Sequence, residues 1–216
     1  MQDQITSPTV APRSVDLGTE QRILIVDAVI AAFRVRAFHE TDVDVVAGLA
    51  GLPRETVTGH FPSWDGLVMA AVDRWNAERM RDVVPLLASH GAARFLRGIV
   101  EQNVRDPSLM RLLTSLLNVA ATPGHPMAAT MRQEWGKFHR LVRDGLAFDV
   151  EVGREPGTMD PTRGAEQLIA LYEGLQMQSM VRPHMDLLAA YDRAVTRLRA
   201  GWSQRYEEQV WSLDAD

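Results

Sequence analysis

The sequence predicts an all-α protein, and three observations lead there. Apolar residues recur three or four apart along nearly the whole chain, the spacing of one helix face. The breaks between these stretches fall at helix punctuation: Gly51 before Pro53, Pro62 before Ser63, Thr122-Pro123-Gly124, Asp160-Pro161 and Arg182-Pro183. No segment alternates convincingly with period two, as a half-buried strand would. The expected architecture is an N-terminal three-helix unit containing a helix-turn-helix, followed by a larger helical body, about nine helices in all.

Residues 1–18 are polar, contain Pro8 and Pro12, and lack the basic start and apolar centre of a signal peptide. They read as a disordered leader. The first helix is expected from Thr19 to Ala37, with Ile23, Val26, Val29, Ile30 and Phe33 as its apolar stripe. The second runs from Thr41 to about Ala50, with Thr41 as N-cap and Asp44 at the capping-box position. Gly51 ends it by adopting positive φ. Pro53 suits the first turn of the third helix, where its missing N–H has no partner to lose. That helix, Pro53 to His60, turns Val57 inward and leaves Arg54, Glu55, Thr56, Thr58 and His60 outward. Ser63 caps a fourth helix that reaches about Val83, with Leu67, Ala71, Trp75 and Met80 facing inward.

The body follows. Pro85 to Val100 reads as one or two helices broken at His90-Gly91, and Leu109 to Ala121 as a buried helix. Another runs from Pro126 to about Ala147. Asp149 to Thr158 reads as a charged, mobile loop. Two long amphipathic helices close the chain, from Asp160 to about Val181 and from Asp186 to about Gln209. Leu168, Leu171 and Leu175 mark a face of the first, and Leu187, Tyr191, Val195, Leu198 and Trp202 a face of the second. Such a pair suits half of a four-helix bundle closed across a two-fold axis, so these residues are the expected homodimer interface. The alternative is that the two stripes pack on their own body.

Composition bounds function. The 216 residues carry a net charge of −5 and 46% hydrophobic residues, with no apolar run of membrane-spanning length. No membrane association is expected, and a cytoplasmic setting fits. Zero cysteines exclude disulfides, thiolate metal sites and cysteine nucleophiles. No Glu-x-x-His, His-x-x-x-His, P-loop, Gly-x-Gly-x-x-Gly or Gly-x-Ser-x-Gly occurs, so no catalytic residue, metal site or cofactor is expected.

Two short helices joined by a tight turn, with an arginine and small polar residues on the second, suit a DNA major groove. The stretch Thr41-Asp42-Val43, Val46-Ala47, Ala50-Gly51-Leu52, Thr56-Val57, His60-Phe61-Pro62-Ser63 and Leu67 resembles the DNA-binding domain of TetR-family transcriptional regulators. The resemblance extends from about Thr19 to Val72. It implies a DNA-binding domain over 19–65, a ligand-binding and dimerisation domain over 66–211, and control of transcription by a small, largely apolar molecule. The implied role is a repressor released from a near-palindromic operator. The sequence departs from the family pattern at Thr58 for tyrosine, Trp64 for lysine and Glu55 for glycine.

Thr41, Arg54, Thr56, Thr58 and His60 are the expected DNA contacts. Against them stands charge: between Thr19 and Pro62 there are four arginines and six acidic side chains. Phosphate contacts supply most non-specific affinity, so the footprint must be local. The competing reading is a ligand- or partner-binding protein whose helix-turn-helix has weak or no DNA affinity. Trp75, Met110, Leu113, Trp135, Phe138, Tyr172 and Gln176 are the expected ligand contacts, being pliant, flat or polar groups on the body helices. Arg111, Asn118, His139 and Glu173 are further polar candidates near the same stripes.

Overall fold

A computed structural model describes residues 17–204. Among these, ten α-helices are present and no strand. The order is α1 (Leu17–Val35), a 3₁₀ turn (Phe38–Glu40), α2 (Val43–Ala50), α3 (Arg54–His60), α4 (Trp64–Met80) and α5 (Val84–His90). Then come α6 (Ala92–Arg105), α7 (Ser108–Ala121), α8 (Ala128–Glu151), α9 (Pro161–Val181) and α10 (Leu187–Trp202). The expected leader lies outside the described residues except for Leu17 and Gly18, which belong to α1. The C-terminal extension of α10 toward Gln209 also lies outside them beyond Gln204.

Local chemistry accounts for most boundaries. Gly51 ends α2 at φ 66°, in the left-handed region where a side chain is strained. Ser63 Oγ accepts from the Gly66 N–H at 3.1 Å and starts α4. Asp160 accepts from Thr162 and Arg163, and Asp186 from Ala189, to start α9 and α10. One cap was misplaced in the sequence reading. Asp42, not Thr41, caps α2, accepting from the N–H groups of Asp44 and Val45 at 3.0 and 2.9 Å. The Thr41 hydroxyl donates backward to the Ala37 carbonyl at 3.1 Å and is buried.

Buried apolar side chains form two clusters. The first joins α1–α4 to α7 and the start of α8, through Val29, Phe33, Val57, Trp75, Leu109 and Met131 among others. The helix-turn-helix core is therefore completed by α4 and α7. The second cluster joins α6, α8, α9 and α10. It takes in much of the stripe marked for a dimer. Leu168, Leu187, Tyr191, Val195 and Trp202 are buried within this one chain, and Leu171, Leu175 and Leu198 pack partly buried against them. Tyr191 fixes the register by donating its hydroxyl to the Ala93 carbonyl at 2.9 Å. Within one chain, then, both stripes pack on the body, with Leu171, Leu175 and Leu198 only partly covered.

The expected mobile loop after α8 is also corrected. Asp149 lies in α8, nearly fully buried, and one carboxylate oxygen accepts from the Ala92 N–H at 2.8 Å while the other pairs with Arg154 at 2.7 Å. The chain at Gly91 must pass so close that a Cβ there would sit 2.6 Å from that carboxylate. Glu155, also buried, pairs with Arg199 of α10 at 2.6 Å. Paired acids pin this segment to α6 and α10.

Candidate nucleic-acid interface and the helical cavity

In the helix-turn-helix, Val57 is the inward anchor of α3, at 0% exposure. Its neighbours on the outer side are not free. Arg54 pairs with Asp44 of α2 at 2.5 Å, with half its side chain still exposed. The Asp44 hydrogen bond and charge hold the Arg54 guanidinium above its ordinary pKa. Thr58 is exposed, but its hydroxyl donates to the Glu55 carbonyl of its own helix at 3.2 Å. Thr56 is half-buried. His60 is tied to α1, its Nε2 3.0 Å from Gln21 Oε1, and its carbonyl accepts from Arg22 at 3.0 Å. Arg22 also lies over the Phe61 ring, 4.1 Å from its centroid. Of the five expected DNA contacts, α3 therefore presents Arg54, Thr58 and part of Thr56. Thr41 is turned inward and His60 locks α3 to α1.

Trp64 serves packing: it meets Phe33 edge-on at 6.3 Å. Arg34 joins Asp106 at 3.4 Å and lies over Trp75 at 5.4 Å. Arg111 donates to the last carbonyls of α1, those of Phe33 and Arg34, at 3.2 and 3.0 Å, where the helix dipole favours a cation. That is its role rather than ligand contact.

A cavity of about 140 Å³ lies among α4, α6, α7, α8 and α9. From α4 it takes Met69, Val72, Asp73, Asn76, Arg79 and Met80. Across from these stand Met110 and Leu113 of α7, Trp135 and Phe138 of α8, and Tyr172 and Glu173 of α9. Five of the seven expected ligand contacts thus come together: Met110, Leu113, Trp135, Phe138 and Tyr172. Trp75 does not; it is 2% exposed and belongs to the helix-turn-helix core. Gln176 lies one layer behind, 1% exposed, and accepts from Asn103, which does line the cavity. Neither Asn118 nor His139 lines it.

The polar groups have an order. Trp135 Nε1 donates to Glu173 at 3.1 Å. Arg79 donates to Asn103 Oδ1, and Asn103 Nδ2 donates on to Gln176 Oε1. Burial pushes the Tyr172 hydroxyl up to about 12, so it stays protonated. Arg79 and Asn103 carried no periodic signal and were missed in the sequence. Arg79 ends an amphipathic helix where arginine is ordinary, and Asn103 is a lone polar residue on a buried face. Among the described residues no cluster of metal-ligating side chains occurs, and no described helix is long and apolar enough to cross a membrane.

No protein-family model and no curated sequence matches the chain. Solved structures do. FadR of Thermus thermophilus, a TetR-family repressor in complex with lauroyl-CoA, aligns at TM-score 0.61 and 22% identity over 88% of this chain and 99% of that one. SmeT in complex with triclosan aligns at TM-score 0.65 and 20% identity, over 82% and 91%. A TetR-family member from Streptomyces coelicolor aligns at TM-score 0.60 and 26% identity, over 83% and 98%. Helix order, the position of the helix-turn-helix and these alignments agree: the chain has the fold of the TetR-family transcriptional regulators.

Proposed function

We propose that the protein is a ligand-responsive DNA-binding transcriptional regulator, a repressor that a small, largely apolar molecule releases from a near-palindromic operator. One observation carries this reading. Helix α4 has two faces with two different duties. Leu67, Val68, Ala71 and Trp75 are built into the helix-turn-helix core, while Met69, Asp73, Asn76, Arg79 and Met80 line the cavity. Val72, Leu109 and Met131 belong to both. A molecule filling the cavity must push on side chains that position the reading head. Coupling of this kind typically amounts to about 1–3 kcal/mol.

The cavity size bears on the ligand. An engineered cavity of roughly 150 Å³ takes one benzene ring. The space here, about 140 Å³, suits one ring or a short chain. FadR and SmeT were solved with lauroyl-CoA and triclosan respectively. Of these two chemistries the smaller is nearer in size to this cavity.

A two-headed reader needs a dimer, and the face that remains for it is the other side of α9. Ala170, Gly174, Met177 and Val181 follow one helical stripe; Met177 is 46% and Val181 79% exposed, and a Cβ at Gly174 would meet nothing within 4 Å. Two copies crossing there would present their α3 helices to successive major grooves, about 34–36 Å apart or a multiple of that.

Selection of binding sites from random DNA by the purified full chain tests the proposal. Enrichment of an inverted repeat supports it. A second reading has its own support: Arg22, Arg34 and Arg54 are all engaged within the protein, leaving the acidic head few cations for phosphate. On that reading the protein is a ligand- or partner-binding module, and no sequence is enriched.

A further inference from the structure

Arg79 sits where a cation is costly. It is half-buried against the cavity, and burial presses its pKa below the ordinary arginine value. A guanidinium does not escape by losing its proton, so it needs a counter-charge. Among the described residues none is supplied within ion-pair distance. Its hydrogen-bond partner is the neutral amide of Asn103. Asp106 acts on it only at a distance and is held by Arg34 and by the Ser108 N–H at 3.0 Å.

The cavity's carboxylates are engaged elsewhere. Glu134 pairs with Lys137 at 2.6 Å, and Glu173 accepts from Trp135. Asp73 is six residues before Arg79 on α4, roughly 9 Å along the helix. Burial and then the Glu134 charge hold Asp73 above the usual carboxylate range. Three acids thus line the cavity, Asp73 beside Glu134 at one place and Glu173 beside Trp135, while Arg79 is the lining cation and has no carboxylate of its own. Behind that cation the amides line up head to tail: Arg79 to Asn103, Asn103 to Gln176. The last amide, Gln176, is buried behind the lining, beside the Tyr172 hydroxyl. A lining cation with no carboxylate partner calls for an acceptor.

Building on the regulator reading above, we propose that the cavity takes a small monoanionic ligand, a carboxylate on a single ring or short alkyl chain, whose charged end pairs with Arg79. The apolar body of the ligand lies among Leu113, Trp135 and Phe138. Arg79 belongs to α4, so the ion pair forms on the helix that carries the head.

The test is calorimetric titration of the full-length protein with matched probes: benzoate, benzamide and benzylamine, and hexanoate, hexanamide and hexylamine. At least one carboxylate should bind tenfold or more tightly than its amide and its amine. Arg79→Gln should erase that preference, and Arg79→Lys should keep part of it. The melting temperature of unliganded Arg79→Gln should equal or exceed that of the wild type, because an unbalanced cation has been removed. An amide or amine that binds as well as the carboxylate overturns the anion assignment and leaves the cavity as a ligand site. Failure of all six probes to bind overturns both this inference and the ligand half of the proposed function, without touching DNA binding.

Discussion

Asp44 holds Arg54 in a pair that α3 must break before the arginine can grip a guanine edge. The exchange is an exposed one, so the carboxylate restrains rather than blocks. Asp44→Asn should tighten DNA binding several-fold by freeing Arg54 and removing a negative charge beside the phosphates, and fluorescence anisotropy on the selected site measures it. An unchanged affinity would remove Arg54 from the contact set. Gly59 offers a second substitution on the same helix. A Cβ there meets nothing within 4 Å, and glycine costs a helix interior roughly 1 kcal/mol against alanine. Gly59→Ala should therefore raise stability by up to about 1 kcal/mol in urea unfolding. The outward set on α3 was legible because Val57 fixes which way the helix faces. The commitment of His60 was not, because its partner Gln21 is brought to it by how α1 packs; that of Thr41 was hidden by the rival cap Asp42 one residue on.

At the scale of elements, local signals and remote partners separate cleanly. Gly51, Ser63, Asp160 and Asp186 act within a turn of their own helices, so sequence alone places them. Asp149 acts across 57 residues on the start of α6, and in sequence it looks like one more charge beside a Gly/Pro loop. Removing one partner of a buried pair typically costs about 3–5 kcal/mol. Asp149→Ala should approach that figure in denaturant unfolding, and a loss under about 1 kcal/mol would mean the site relaxes. A surface clamp behaves differently. Arg97 grips both oxygens of Asp192 at 2.7 and 2.9 Å, joining α6 to α10. The Arg97 hydrogen bond holds the Asp192 carboxyl below its ordinary range. Its stabilisation is present above the unfolded pKa, near 3.9, and is lost as pH falls through the lower folded value. Half-exposure limits it to about 1 kcal/mol. Asp192→Asn should thus be less stable than the wild type at pH 7, with the difference closing in strong acid.

For the whole molecule, sequence periodicity showed the stripes on α9 and α10 but not what covers them. An apolar face reads the same whether a second copy or the chain's own body buries it. Only the fold reveals that α6 and α8 pack against it, while Met177 and Val181 stay exposed. The cavity was partly legible for the converse reason. Trp135, Phe138 and Tyr172 are large side chains facing inward, but whether they meet or leave space depends on how five helices splay. The division of α4 between core and cavity is likewise a property of the assembled molecule, and it joins the cavity to the head.

The central claim, that this acidic head reads DNA, is tested most directly by binding of the purified protein to DNA from upstream of its own gene across a salt series. Sequence-specific binding is expected, its logarithm falling linearly with the logarithm of salt concentration. With few free arginines, the slope should be shallow, corresponding to only a handful of phosphates. Absence of binding at low salt, for this DNA and for every sequence offered by selection, would contradict it.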